Sequence, residues 1–283
     1  MSMAPAAHPQ LITSRDNPLV KNLRRLVQGG QAARGQGQAW LEGEHLCRAL
    51  LARGRMPQMA VLAQSFWPNT PPDLARAAPR IVVLPDALMA AVSGLPSPAA
   101  MGFVIDLPAA PVLLPDAPTV VLDRVQDAGN AGSILRSAAA FGFTQIAALA
   151  GTALLWSPKV LRAGMGAHFA LRLVEGLAPH DLETLAVPLL TTSSHHGQWL
   201  HEALLPWPCA WVLGHEGQGV DAAIAARAAQ RVRIAQPGGE ESLGVAAAAA
   251  ICLHASATMK ISATIHSLRC GNSSVGRAQP CQG

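Results

Sequence analysis

From residue 119 to residue 258 of this 283-residue chain, short apolar runs alternate with stretches of helical periodicity. The runs fall at 119–123, 145–150, 188–192, 210–214 and 231–235, with a helix predicted over 133–141 and a closing helix over 242–257. A strand that is apolar along its whole length must be covered on both faces. Helical crossovers between parallel strands supply that cover, so the pattern predicts an α/β fold with a mainly parallel sheet. Ligands of such sheets sit beyond the carboxyl ends of the strands, which directs attention to the loops that follow each run.

The first part of the chain reads as a smaller α/β unit. Leu19, Val20, Leu23, Leu26 and Val27 form one helical face opposite Lys21, Arg24 and Arg25, and Gly29 and Gly30 end that helix. Further helices are predicted at 44–53 and 86–92, and extended segments at 38–41, 58–63, 80–84 and 102–105. Between the halves, 107–118 holds four prolines and no usable periodicity, which suits a linker outside both cores. The expected organisation is a substrate-binding domain at 12–106, the linker at 107–118, a second domain at 119–258 and a disordered tail at 259–283.

Charge is uneven. Residues 1–60 carry eight Lys or Arg against three acidic residues, and the remainder is close to neutral. A basic half beside a neutral one fits a polyanionic partner, although a solvated helix face gives the same pattern. The chain has no Tyr and five Phe, so a broad aromatic platform for stacking bases is not expected. The longest strongly apolar run, 244–253, is far short of the roughly 20 residues that span a bilayer, and 1–10 lacks an apolar leader segment. A cytoplasmic protein is expected. Cys47, Cys209, Cys252, Cys270 and Cys281 are scattered and never spaced as metal ligands, and His195 and His196 read as loop residues, so no metal is expected.

Three glycine-bearing loops carry the chemistry. Asp127-Ala-Gly-Asn-Ala-Gly-Ser-Ile-Leu-Arg136 follows a strand and opens a helix, with Asn130 placed as its cap and Ser133 and Arg136 on one face near its positive end. Such a corner suits a phosphate, and equally an ordinary capped crossover helix. Leu213-Gly-His-Glu-Gly-Gln-Gly219 closes another strand with one carboxylate, Glu216. The loop from Ile234 to Val245 turns at Pro237, Gly238 and Gly239, and Ser242 is a candidate cap for the last helix. Singly, each is a loop.

Taken in order, N-x-G-x-x-x-R, G-x-E-G-x-G and I-x-x-x-G-x-x-x-S-L resemble the three motifs of the SpoU/TrmH family of RNA ribose methyltransferases. The segment 157–167, Asn17-Pro-Leu-Val-Lys21 and Trp40-Leu-Glu-Gly-Glu-His45 also look like parts of that family. The resemblance implies a trefoil-knotted, mainly parallel-sheet methyltransferase domain, preceded by a small α/β domain that binds RNA. It implies S-adenosylmethionine held near Gly214, Ile234 and Leu243, functional polar positions at Asn130, Arg136, Glu216 and Ser242, and a homodimer. Ribosomal RNA is favoured slightly over transfer RNA as substrate. Arg15, Lys21, Arg24 and Arg25 are the candidate phosphate contacts.

The chain departs from the family where Gly244 replaces the usual Asn, and where Ala235 and Gln236 replace the usual Pro and Met. The first departure motivates a rival, a catalytically weakened RNA-binding or ribosome-assembly protein. A dinucleotide-binding oxidoreductase would need a G-x-G-x-x-G after its first strand, and that is missing. A guanidinium is a poor proton acceptor at neutral pH, so Arg136 is expected to grip a phosphate of the target rather than act as base.

Overall fold

The computed structural model describes residues 9–29, 35, 37–109, 111–193, 196–238 and 243–271, with side chains described as far as 261. Two sheets organise them. The first is built from β1 (Gln10–Leu11), β2 (Gln38–Glu42), β3 (Met59–Ala63), β4 (Arg80–Leu84) and β5 (Met101–Asp106), in the order β1-β4-β3-β5-β2. β1, β4 and β3 run parallel, and β5 pairs antiparallel with both β3 and β2. Helices α1 (Pro18–Gln28), α2 (Glu44–Leu51), α3 (Pro72–Ala75) and α4 (Asp86–Val92) complete this unit. In α1 the Asn17 side chain accepts from the Leu19 N–H at 2.9 Å, and Val20, Leu23 and Leu26 turn inward at i, i+3 and i+6. Each buried leucine there contributes about 1.5–3 kcal/mol through removal of apolar surface from water.

The second sheet has seven strands, all parallel: β6 (Thr119–Leu122), β7 (Gln145–Leu149), β8 (Arg172–Leu177), β9 (Leu189–Thr192), β10 (Gln198–Trp199), β11 (Ala210–Leu213) and β12 (Gln230–Arg233), in the order β10-β12-β9-β11-β6-β7-β8. Its helices are α5 (Ala128–Ala140), α6 (Pro158–Gly164), α7 (Ala222–Ala226) and α8 (Val245–Gly271). Every residue of β6, β7 and β11 is buried, as an apolar strand covered on both faces requires.

Three features differ from expectation. First, α8 continues to Gly271, well past residue 258; its buried positions Ala249, Cys252, Leu253 and Ser256 keep one face on the sheet. Trp211 of β11 donates its ring N–H to Ser256 Oγ at 2.9 Å, so that face is fixed by a directional bond as well as by packing. Beyond it, Met259-Lys-Ile-Ser-Ala carries no Pro or Gly to stop the helix. Residues 272–283 lie outside the described residues. Second, the proline-rich segment is not free of the core: Leu113 is buried, and Gln145 holds Leu114 through both its amide oxygen and its amide nitrogen. Third, β1, β8 and β10 were not predicted; two of them are two residues long, and Gly176 and Glu175 interrupt the apolar pattern of β8.

The two units share one apolar core cluster. A side chain at Gly132 of α5 would overlap Ala163 and Gly164 of α6, so that glycine sets how closely the two helices cross. Gly166, at φ +88°, lies against Ala49 of α2 and brings the first unit onto the second. Beneath this contact His168 is fully buried. Its Nε2–H donates to the Leu155 carbonyl at 2.8 Å, while Nδ1 has no partner.

Burial lowers the His168 pKa to about 4 against the donated bond to Leu155, which raises it. The folded value lies below the unfolded one, so the unfolded chain takes up the proton first as pH falls. Stability from this group is complete above about pH 6.5 and declines toward pH 4, by up to about 3 kcal/mol. Denaturant unfolding between pH 7 and 4.5 should therefore show a steeper loss in the native protein than in His168→Gln. Parallel curves would show that this imidazole does not titrate as its burial requires.

Candidate active site

Four neighbouring strands, β12, β9, β11 and β6, run parallel, so their carboxyl ends open on one edge. The three glycine-bearing loops leave β6, β11 and β12. At about 4.8 Å per strand, three spacings place them within roughly 15 Å of one another.

The first loop begins at a buried carboxylate. Asp123, 2 % exposed, receives Arg124 Nε at 2.7 Å and the Asp221 backbone N–H at 2.7 Å. Arg124 adopts a left-handed φ of 59° and donates onward to Gln218 Oε1 at 2.9 Å. Its pKa is raised by the hydrogen bond and charge of Asp123. This cluster ties the end of β6 to the loop after β11. The sequence gives little notice of it, because the Asp123 and Gln218 positions are far apart and a positive φ at Arg has no composition signal.

Asp127, not Asn130, caps α5: its Oδ1 accepts from the Asn130 N–H at 2.7 Å. The helix therefore starts five residues earlier than predicted, and Asn130 is its third residue. Asn130 Nδ2 donates to Glu216 Oε1 at 3.2 Å, and the Asp127 N–H approaches the same oxygen at 3.4 Å. Desolvation raises the Glu216 pKa, but hydrogen bonds from its own backbone, Asn130, Asp127 and Gln126 outweigh it and leave a net lowering. Glu216 is thus an anion that clamps two loops together, with an acceptor already engaged.

The loop after β11 is closed by paired backbone bonds, His215 N–H to Gly219 O at 3.0 Å and Gly219 N–H to His215 O at 2.8 Å. His215 Nδ1 accepts from the Gly217 and Gln218 N–H groups at 3.0 and 3.2 Å. A Cβ at Gly214 would overlap the backbone of Gly219 and Val220, so only glycine permits this tight turn. In the third loop Ile234 is half-buried against the core and Leu243 is 38 % exposed. Ser242 lies outside the described residues. Two polar atoms near this edge are buried without partners among the described residues, Thr191 Oγ1 on β9 and Gln236 Oε1 after β12.

Arg136 stands apart. It is two turns into α5, beyond the reach of the helix's positive end, because the cap lies at Asp127. It opens into a cleft of about 290 Å³ between the two units, shared with Arg53, Ala52, Met165 and Gly166. The structure therefore brings Asn130 and Glu216 into contact, and sets Arg136 with Arg53, a residue not singled out from the sequence. Arg15, Lys21, Arg24 and Arg25 lie on or beside α1, with Lys21 paired to Asp16 at 3.1 Å; none lines this cleft.

Burial raises the Cys209 and Cys252 thiols to about 12 and pushes Cys47 up further, so none of the three is a ready nucleophile. Among the described residues, no group of three or more His, Cys, Asp or Glu could hold a metal ion, and no helix is long and apolar enough to cross a membrane.

Residues 117–254 match the SpoU rRNA methylase family. A relative described as an uncharacterized tRNA/rRNA methyltransferase of Synechocystis sp. is 32 % identical over 86 % of this chain and 92 % of its own. The 23S rRNA (guanosine(2553)-2'-O)-methyltransferase of Bacillus subtilis is 29 % identical, over 86 % of this chain and 97 % of its own. Among solved structures, a putative TrmH-family RNA methyltransferase from Porphyromonas gingivalis superposes with a TM-score of 0.74 at 31 % identity, covering 85 % of this chain and 97 % of that one.

Proposed function

The chain belongs to the SpoU rRNA methylase family, and from that premise we propose that it transfers a methyl group from S-adenosylmethionine to a ribose 2′-hydroxyl of RNA, with ribosomal RNA favoured. The observation that carries this reading is the meeting of loops 123–130 and 214–219 at one sheet edge, locked by Asn130, Glu216, Asp123 and Arg124. The third loop ends on the same edge, two strand spacings away.

The residues fit the cofactor. Gly214 makes a close backbone turn, and Thr191 and Gln236 present buried polar atoms that lack partners among the described residues. The loops after β11 and β12, including Gly214, Ile234 and Leu243, would hold it, and its sulfonium supplies an activated methyl group. The chain's own residues then have positioning work. Asn130 is fixed by Glu216 and faces the edge where the hydroxyl must arrive. Glu216 stays charged and is a clamp rather than the base. Arg136, with Arg53, grips a phosphate of the RNA and orients the ribose, and the hydroxyl proton leaves through phosphate or water. Ser242 remains a candidate polar contact at the third loop.

We read residues 12–106 as the RNA-binding domain and 119–258 as the methyltransferase domain, whose path between β9, β11 and β12 is knotted. Arg15, Lys21, Arg24 and Arg25 form an outlying phosphate-binding face on this reading, in a cytoplasmic homodimer. Purified protein with methyl-labelled cofactor and unmodified ribosomal RNA should yield label in a 2′-O-methylnucleoside after complete digestion. Label in a base, or none, would defeat the proposal.

The weakened-enzyme alternative rests on Gly244. This residue caps α8, its carbonyl accepting from the Ala248 N–H at 3.0 Å, and an added Cβ would meet nothing within 4 Å. Restoring the amide with Gly244→Asn should raise stability by only a few tenths of a kcal/mol, and should change the methylation rate by less than about threefold. A gain of thirtyfold or more in turnover would show instead that the native chain is catalytically impaired.

A further inference from the structure

The amide oxygen of Gln236, buried without a partner among the described residues, is the least explained group on this edge. A buried carboxamide oxygen without a donor costs folding free energy, and no described residue supplies that donor, which suits a partner that arrives with a ligand. Gln236 follows β12 by three residues. On β9, between β11 and β12 in the sheet, Thr191 aligns with Arg231 of β12 and Val212 of β11, and its hydroxyl is also buried without a partner among the described residues. Thr191 thus lies near the carboxyl end of its strand, and Gln236 on the loop after β12 that is assigned above to the cofactor.

A primary carboxamide presents an acceptor and a donor side by side. Among the cofactor's groups, the carboxylate offers acceptors alone and the ammonium donors alone, while the ribose diol can also pair with an amide and is separated from the base by the 6-amine test below. The edge of adenine offers a 6-amino donor beside a ring-nitrogen acceptor, the two-point complement of glutamine. The neighbouring Ile234 and Pro237 are apolar and suit the face of the ring. The usual family residue at this position, Met, cannot make such a pair.

We propose that the Gln236 side chain hydrogen-bonds the 6-amino edge of the cofactor's adenine, so that this chain reads the base with a side chain at a position where Met would only pack. The proposal rests on the cofactor reading given above. It assigns the orphaned amide a ligand rather than a structural role.

The test is calorimetric binding of S-adenosylhomocysteine and of its purine analogue carrying hydrogen in place of the 6-amine, to the full-length native protein and to Gln236→Met. The native protein should bind the analogue about tenfold more weakly, while Gln236→Met should bind the adenine compound about tenfold more weakly and separate the two ligands by less than about threefold. The melting temperature of the ligand-free variant should be unchanged or higher, because a buried unpaired group has been removed. Equal discrimination by native protein and variant would overturn the assignment while leaving the cofactor reading intact, as would a lower melting temperature with discrimination unchanged. No binding of either ligand to the native protein would overturn both.

Discussion

Arg136→Ala should lower kcat/KM for methyl transfer by about 100- to 1000-fold while leaving affinity for S-adenosylhomocysteine within about twofold. The separation follows from geometry. Arg136 opens into the cleft with Arg53 between the two units, and none of Gly214, Ile234 and Leu243 lines that cleft. Arg136→Lys discriminates between roles. If the guanidinium serves by holding a phosphate, Lys keeps the charge and should retain RNA affinity to within about threefold, with turnover restored in parallel. Retained RNA affinity with turnover still lost would assign Arg136 a direct part in the chemistry. Loss of cofactor affinity in either variant would contradict the division of the site.

The second large effect is expected at Gly214. An alanine there would drive its methyl group into the backbone of Gly219 and Val220, atoms that cannot yield without breaking the His215–Gly219 bonds. Gly214→Ala should destabilise the protein by about 2–3 kcal/mol, and should weaken cofactor binding by 100-fold or more even at temperatures where the fold survives. Gly217→Ala is the control, since its Cβ would meet only the His215 ring at ordinary contact distance, 3.7 Å. It should cost less than about 1 kcal/mol. Comparable effects of the two substitutions, measured by denaturant unfolding and calorimetry, would show that the loop needs general flexibility rather than this one close approach.

Legibility from the sequence tracked how local each cause was. Strands β6, β11 and β12 and the glycine loops after them were readable, because burial on both faces writes an apolar run and a close backbone approach writes a glycine. The start of α5 was misplaced since Asp127 and Asn130 are both capping residues; the deciding bond, from the Asn130 N–H to Asp127 Oδ1, depends on the path of the preceding loop. That shift moved Arg136 away from the helix's positive end. Its neighbour Arg53 comes from the other unit, and no short-range pattern announces a contact across so many residues. The Asp123–Arg124–Gln218 cluster and the enclosed amide oxygen of Gln236 were hidden for the same reason: which polar atoms meet or are enclosed is a property of the assembled sheet edge. The extension of α8 past residue 258 could have been read from helix propensity alone, but weak periodicity masked it.

Comparison of ribose methylation in total RNA from a strain lacking this chain with that from its parent tests the central claim most directly. The account predicts that one or a few 2′-O-methyl marks, in ribosomal RNA, vanish in the deletion strain and return with the native chain but not with Arg136→Ala. An unchanged ribose-methylation map, or a lost mark restored equally by both forms, would contradict it.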